Sequence, residues 1–406
     1  MKGTMRAYPK SRRQFLAGVA AAGAGLMLSP FGRAAADETN LHFPPKKLVR
    51  FPEKTDLLLL TDRPPQLETP LHYFRQDLTP NEAFFVRWHE SALPTLIDPA
   101  AFRLTIGGNV ERPLSLSLDE LKRDFEPVSV TALAICSGNS RSLFQPPVPG
   151  SQWVNGGMGN ARWTGVRLTD LFDRAGLKAG SVEITMQGLD RSPMPALADL
   201  KKALPIEHAT DGTLIVAYAM NGTPMPMLNG FPLRLIVPGY YATYWVKCVT
   251  DIQVTTEPFH NIWHDVAYRV PDNPDYNESE DHLAVKTKPI GKLSIHSIFV
   301  RPEPLETIPF GQAYPLEGLA YDAGYGITRV EVSADRGQSW QEAALDPEID
   351  RYSWRRWRLN WTPAARGPYQ LRVRAVNQAG EHQILSQWNH GGYGRKVIDS
   401  TTGLVV

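Results

Sequence analysis

Cys136 stands where an apolar run meets a polar loop. Val128 to Ile135 reads as a buried strand, and the thiol closes it. Ser137-Gly138-Asn139-Ser140-Arg141 follows, a set of turn formers carrying one cation. A cation beside a thiol favours the thiolate, the form that binds soft metals or attacks electrophiles. A free cysteine is as often a small buried hydrophobe, so this stretch alone leaves both readings open. Arg87 and His89 are two apart and fall on one face of a strand. Taken singly, they could be a surface pair. Arg234 and Lys247 lie on strand-like segments and could be edge charges. Trp153 and Tyr268 could be packing aromatics.

Other chemistries have no motif here. The sequence holds no CxxC, CxxCH, HExxH or P-loop. Its ten histidines show no metal-ligand spacing, and His260 with His264 reads as a loop feature. Cys136 and Cys248 are the two cysteines. Both lie in or at the end of apolar runs, and neither has a disulfide-rich context. The run WRRWRLNW could stack on bases. Alternation in a strand, with Arg and Trp on opposite faces, explains it better.

The elements that must position these groups read as follows. Asn81 to His89 is a short aromatic strand. Phe102 to Leu116 forms a hairpin, and Ser117 caps a short helix. A second short helix ends at Gly176. Val182 to Gln187 and Thr213 to Met220 are strands, with Asn221-Gly222 as a tight turn. Met194 to Ala203 reads as helical. Leu233 to Val237 and Tyr244 to Val254 are further strands. Short helices among many strands predict an α+β domain with mixed sheets over residues 81–285. From about residue 286 to 406, short alternating strands separated by turns predict an immunoglobulin-like β-sandwich. Residues 37–80, rich in Pro and charge, read as an extended arm.

Residues 1–36 read as an export signal. Ser11-Arg12-Arg13-Gln14-Phe15-Leu16 is a twin-arginine pattern, Leu16 to Leu28 is mildly apolar, and Ala34-Ala35-Ala36 offers a cleavage site. This predicts twin-arginine export to the periplasm. No other segment has the length and apolarity of a membrane helix, so no membrane span is expected in the mature chain. The signal holds six cations and no acid, so its removal takes the formal charge from +1 to −5. A mildly acidic chain argues against nucleic acid as a partner. The remaining length of about 370 residues predicts two domains.

Together, several features occur in an order that resembles the sulfite oxidase family of molybdenum enzymes. They are Arg87-x-His89, the Cys136 loop, Ala161-Arg162-Trp163-Thr164-Gly165-Val166-Arg167, Gly230-Phe231-Pro232-Leu233-Arg234 and Val246-Lys247. GITRVEVSADRGQSW and SQWNHGGYGR resemble the family's dimerisation domain. The resemblance implies a molybdopterin-binding domain followed by an immunoglobulin-like dimerisation sandwich, closest in kind to the bacterial periplasmic sulfite dehydrogenases. It implies a molybdenum–molybdopterin cofactor with Cys136 as the metal's thiolate ligand. Arg87, Arg141, Trp153 and Tyr268 would form the substrate pocket. His89, Asn139, Arg167, Asn229, Arg234 and Lys247 would contact the pterin or its phosphate. Two departures stand out. Asn229 occupies a place where the family often has His, and Trp388-Asn389-His390-Gly391 lacks the pocket arginine of the vertebrate enzymes, a place expected to fall to Arg395.

The implied activity is oxidation of sulfite to sulfate, with electrons passed singly to a separate c-type cytochrome because no haem is expected in this chain. A homodimer is expected. Two alternatives come from other classes: a molybdenum reductase of sulfoxides or nitrate, and a non-catalytic immunoglobulin-like binding protein. The second leaves Cys136 and the arginines without a purpose.

Overall fold

The computed structural model describes residues 46–194 and 196–406. The export-signal reading of residues 1–36 lies outside the described residues. Among those described, no helix is long and apolar enough to cross a membrane.

Three sheets build the part that carries Cys136. The first is antiparallel and joins Leu48–Arg50, Asp56–Asp62, Pro65–Glu68 and Val86–Arg87. The stretch read as an extended arm therefore folds back into strands. Leu57 and Leu67 are fully buried and pack with Val86, Trp88 and Cys248, so a run that looks polar on average hides an apolar face. The second sheet runs Lys201–Pro205, Glu183–Gln187, Asp251–Thr255, Leu104–Gly108, Leu114–Leu116. Its Asp251–Thr255 and Leu104–Gly108 pair is parallel and the others antiparallel, so the sheet is mixed. The third joins Arg234–Ile236, Ile215–Met220, Met158–Arg167 and Val128–Ile135, all antiparallel.

Helices are few and short. Leu118–Asp124 begins with a capping box, in which the Ser117 side chain accepts from the Glu120 N–H and Glu120 returns the bond. Leu168–Ala175 ends at Gly176, whose φ of 73° suits a residue without a Cβ.

Besides that arm, three elements differ from the sequence reading. Met194–Ala203 is not helical; Lys201–Pro205 is a strand paired with Glu183–Gln187. Cross-strand pairing with Glu183–Gln187 takes up the backbone of Lys201–Ala203, and that tertiary contact outweighs a weak local helical pattern. Tyr244–Val254 is not one strand either. A 3-10 turn covers Ala242–Tyr244, Cys248 takes φ 46°, and pairing resumes at Asp251. Asn81–His89 keeps only Val86–Arg87 as strand, after a 3-10 turn at Asn81–Ala83.

The C-terminal part is a sandwich. One sheet has the order His296–Arg301, Tyr314–Tyr321, Arg355–Trp361, Ala344–Leu345; the other has Thr307–Ile308, Asp399–Val405, Gly367–Asn377, Ile327–Ser333, Gln341–Glu342. Its core includes Leu316, Val330, Trp357, Leu371 and Val373. Arg356 and Trp357 do point to opposite faces, and both are buried. Trp357 enters the sandwich core, while Arg356 donates to the Phe74 carbonyl at 3.1 Å. A further apolar cluster joins the sandwich to the third sheet: Leu133, Ile135 and Met158 pack with Ile298, Val300, Leu319 and Trp354. The strand that ends on Cys136 is thus held from both sides.

Candidate active site

Cys136 is 9% exposed at the end of Val128–Ile135. Its N–H donates to Gly157 O at 2.8 Å, and its carbonyl accepts from Asn139 N–H at 2.9 Å. The Asn139 carboxamide oxygen accepts from Gly157 N–H at 2.9 Å. Asn139 therefore braces the loop and does not line the cleft. Ser140 takes φ 66° and turns the chain so that Arg141 points back toward Cys136.

Two cavities meet at Cys136. The first is a narrow cleft lined by Phe85, Arg87, His89, Arg234, Lys247 and Tyr268 together with Cys136 and Ser137. The second, of about 360 Å³, is lined by Arg87, Cys136, Arg141, Trp153, Tyr268, His390 and Tyr393 among others. Arg87, Cys136 and Tyr268 face both.

The Arg141 guanidinium is fixed by backbone. Its Nε and Nη2 donate to Gly391 O at 3.2 and 3.0 Å, and it lies 4.9 Å from the Tyr393 ring centroid. A Cβ at Gly138 or Gly150 would come within 2.6 or 2.8 Å of it, so these glycines make its space. Arg87 donates from Nη1 to Trp88 O at 2.7 Å and from Nη2 to the Tyr268 hydroxyl at 3.0 Å. The Tyr268 hydroxyl also meets His89 Nε2. The direction of that bond follows the His89 tautomer, and the ring's other nitrogen is Nδ1. That Nδ1 is buried with no hydrogen-bond partner. Burial, then the charges of Arg87, Lys247 and Lys202, hold His89 well below the usual imidazole range, so the ring is neutral.

Arg234 is 2% exposed, donates to the carbonyls of Asn229 and Trp245, and lies between the Trp163 and Trp245 rings at 5.3 and 5.9 Å. Burial pushes its value down, yet a guanidinium stays charged. Lys247 donates to Arg87 O at 2.6 Å over the Trp88 ring. Burial pushes its ammonium down to about 7. Trp153 is fully buried and forms one wall of the wider cavity.

Besides Asn139, three residues expected at the site do not line it. Arg167 is exposed and donates to Gly212 O at 2.9 Å. Met158 pairs with Ile135 beside the thiol, so Arg167, nine residues on along the strand, is ~30 Å from it at ~3.3 Å per residue. Asn229 is 1% exposed, but its side chain is spent on Phe85 O at 3.0 Å and on the Lys54 ammonium. It supports the cleft from behind. Arg395 lines neither cavity; its Nη1 lies 3.9 Å from Asp399 Oδ1. Gly391, Gly392 and Gly394 turn the chain before it, and Gly394 N–H is tied to Ser137 O at 3.1 Å, which carries Arg395 past the pocket.

Sequence reasoning missed Lys54, Lys202, Glu278, His390 and Tyr393. Lys202 is fully buried, donates to Trp263 O at 2.6 Å and lies 5.2 Å from the Tyr268 ring. Nothing in Lys201-Lys202 distinguishes the buried lysine from its partly exposed neighbour except strand alternation, which the helical reading concealed. His390 stood beside the place where an arginine was sought.

Among the described residues no three His, Cys, Asp or Glu side chains converge as a metal site. A metal at Cys136 must take its other donors from a cofactor. The family model for the oxidoreductase molybdopterin binding domain matches residues 90–263, and that for the Mo-co oxidoreductase dimerisation domain matches 287–392. Chicken sulfite oxidase is 31% identical over 361 residues, covering 84% of this chain and 76% of that protein. The chain belongs to the sulfite oxidase family of molybdenum enzymes. Rat mitochondrial sulfite oxidase is 32% identical over 346 residues, 81% of this chain and 61% of the rat protein. The chain thus spans under two thirds of that relative's length. A rice NADH nitrate reductase is 31% identical over 304 residues, 71% of this chain and 32% of that protein. The crystal structure of the sulfane dehydrogenase SoxCD from Paracoccus pantotrophus shares the fold, with TM-score 0.74, 23% identity and coverage of 93% of this chain and 96% of that one.

The cofactor of the family is molybdenum held by molybdopterin, and the donor chemistry here fits it. Cys136 is a soft ligand. The narrow cleft holds Arg87, Arg234 and Lys247 with no carboxylate on its wall, plus the partnerless Nδ1 of His89. Asp190 is a counter-charge to Lys247 from behind the wall, but three buried cations facing one cleft are costly, and an anionic group with acceptor atoms offsets that cost.

This has a measurable consequence. Burial pushes Lys54, Lys202 and Lys247 each from an ordinary value near 10.5 down to about 7. Above pH 7 the unfolded chain therefore holds more protons than the folded one, and stability rises with pH. Cofactor-free protein should melt at a higher temperature at pH 9 than at pH 7, and loading should flatten that rise because an anion keeps Lys247 charged. Burial holds the Cys248 thiol up at about 12, which opposes the trend only above pH 9. A melting temperature falling from pH 7 to 9 contradicts the argument.

Proposed function

We propose that this protein oxidises sulfite to sulfate, with Cys136 as the thiolate ligand of the molybdenum and Arg87 and Arg141 gripping the anion. The observation that carries the reading is the convergence of two guanidinium groups and one thiol on a single cavity of about 360 Å³. Guanidinium donors match the oxygens of a small oxyanion in a planar, two-point fashion. The net reaction takes sulfite and water to sulfate, two protons and two electrons. The molybdenum cofactor, when bound, supplies oxygen-atom transfer and accepts the electron pair. The chain's own residues do the rest. Arg87 and Arg141 orient the anion and stabilise developing charge. The Tyr268 hydroxyl, fixed by Arg87, faces both cavities and is hydrogen-bonded to neutral His89, which holds the phenol in place beside the anion.

His89, Arg234 and Lys247 would hold the pterin and its phosphate. Electrons would leave singly to a separate c-type cytochrome, and the sandwich would form a homodimer. Residues 11–16 support export by the twin-arginine route to the periplasm. Steady-state assays test the activity: sulfite should be consumed with two ferricyanides reduced per sulfite, and cytochrome c should replace ferricyanide. Because nitrate reductases are also relatives, nitrate with a reduced viologen dye is the counter-assay. Turnover there with none on sulfite overturns the proposal. Arg12→Lys with Arg13→Lys should leave active enzyme in the cytoplasm; unchanged activity in the periplasmic fraction would sink the export reading.

A further inference from the structure

The wall of the 360 Å³ cavity holds a hydrogen-bonded pair that the arginine reading does not use. His390 lines this cavity beside Arg141, and its side chain is 53% exposed. Its Nδ1 meets Glu278 Oε1 at 2.6 Å, and its backbone N–H donates to the same oxygen at 2.8 Å. Glu278 comes from a distant loop, yet its side chain is 1% exposed. Its other oxygen accepts from Ala284 N–H at 2.7 Å. Among the described residues its ion-pair partner is His390 alone. A carboxylate so enclosed needs hydrogen-bond donors, and it has three, from Ala284 N–H, His390 N–H and the His390 ring. Burial pushes its carboxyl up, but the donors from Ala284 and His390 outweigh this and keep it below the usual carboxylate range.

The geometry has a second half. The carbonyl of Gly391, the next residue, is the acceptor that fixes Nε and Nη2 of Arg141. One dipeptide, His390-Gly391, thus positions both the imidazole and the guanidinium. With Nδ1 bound to Glu278, Nε2 is the nitrogen left for a ligand, and no hydrogen bond occupies it among the described residues. The two guanidinium groups are partly committed already. Arg87 has donors on Trp88 O and Tyr268, and Arg141 on Gly391 O and Ser151 O. An anion with three or four oxygens has room for a third donor.

We propose that His390, aimed by Glu278, is a third anion-binding group of this cavity, and that with Arg87 and Arg141 it selects small tetrahedral or pyramidal oxyanions. It touches the substrate; Glu278 is its positioning residue. The inference rests on reading this cavity as an oxyanion pocket, and the test separates the two. The other ionisable groups on the cavity wall are Cys136, Tyr268 and Tyr393.

The probe is sodium sulfate, whose charge does not change near neutrality. Its affinity for cofactor-loaded enzyme is measured by titration calorimetry in one buffer at fixed pH and fixed ionic strength. His390→Gln should weaken sulfate about fivefold, a modest effect because the group is half exposed. His390→Arg should bind at least as tightly as wild type, and Glu278→Gln about threefold more weakly, since the donor loses its orientation. Arg141→Met, which should lose most of the binding, places sulfate in this cavity. Sulfate binding lost in Arg141→Met but within twofold of wild type in His390→Gln overturns the inference and leaves the pocket standing. Weaker binding in His390→Arg than in His390→Gln also overturns it. No change in any variant removes both. Sulfate binding that follows His390 in an enzyme inert to sulfite supports the inference and overturns only the assigned reaction.

Discussion

Cys136→Ser should lower sulfite oxidation by orders of magnitude while leaving a folded protein, because a hard, weakly acidic hydroxyl replaces a soft thiolate at the metal. The fold should survive for reasons visible in the loop. The backbone bonds of Cys136 to Gly157 and Asn139 do not involve sulfur, and the side chain faces the cavities as well as the core. Circular dichroism and thermal melting should therefore match wild type to within a few degrees. Cys248→Ser is the control. That thiol is fully buried beside Leu57, Leu67 and Trp88, and burial keeps it protonated up to about 12. A hydroxyl there lacks a good partner, so the variant should lose ~1–3 kcal/mol of stability and keep its turnover per molybdenum. Metal content per protomer, measured beside activity, separates a lost ligand from lost loading. Near wild-type oxidation by Cys136→Ser would remove the thiolate assignment.

How much of this was legible in the sequence follows from where the information lay. Strand Val128–Ile135 and its loop were legible because an apolar run and a cluster of turn formers are both local signals. The two-residue step from Arg87 to His89 was also local, and both side chains do reach one cleft. The mixed α+β architecture followed from short helices among many strands. Arg167 was misplaced because its distance from Cys136 depends on the register of a ten-residue strand, which puts Met158 beside Ile135. Arg395 failed for a similar reason: the glycines before it redirect the chain, and only tertiary contacts decide where. Lys54 and Lys202 were invisible because lysine in a polar stretch reads as solvated. Glu278 and His390 meet across more than a hundred residues of sequence, with nothing in either segment to announce the other.

Arg141→Met and Arg87→Met should each raise the KM for sulfite by at least tenfold, and they should differ in what else they damage. A charged hydrogen bond is worth ~1.5–3 kcal/mol, or about 12- to 150-fold. Arg141 is 8% exposed and its guanidinium is held on Gly391 and Tyr393. It is fixed before the anion arrives, so it contributes binding in ground and transition states alike, and its loss should appear mainly in KM. Lysine should not rescue it. An ammonium cannot satisfy Gly391 O with two parallel N–H groups and still face the anion. Arg87 is different because its Nη2 also donates to the Tyr268 hydroxyl. Without it, that hydroxyl keeps only His89 and loses the donor that fixes its oxygen toward the cavity, so Arg87→Met should lower kcat as well as raise KM. Sulfate should inhibit wild type competitively and each variant at least tenfold less. The comparison needs fixed ionic strength, since salt alone screens the local positive field. Unchanged KM together with unchanged sulfate inhibition in both variants would mean that the anion binds somewhere other than beside Cys136. An equal fall of kcat in both, with KM constant, would mean instead that the two guanidinium groups act only once charge has developed in the transition state.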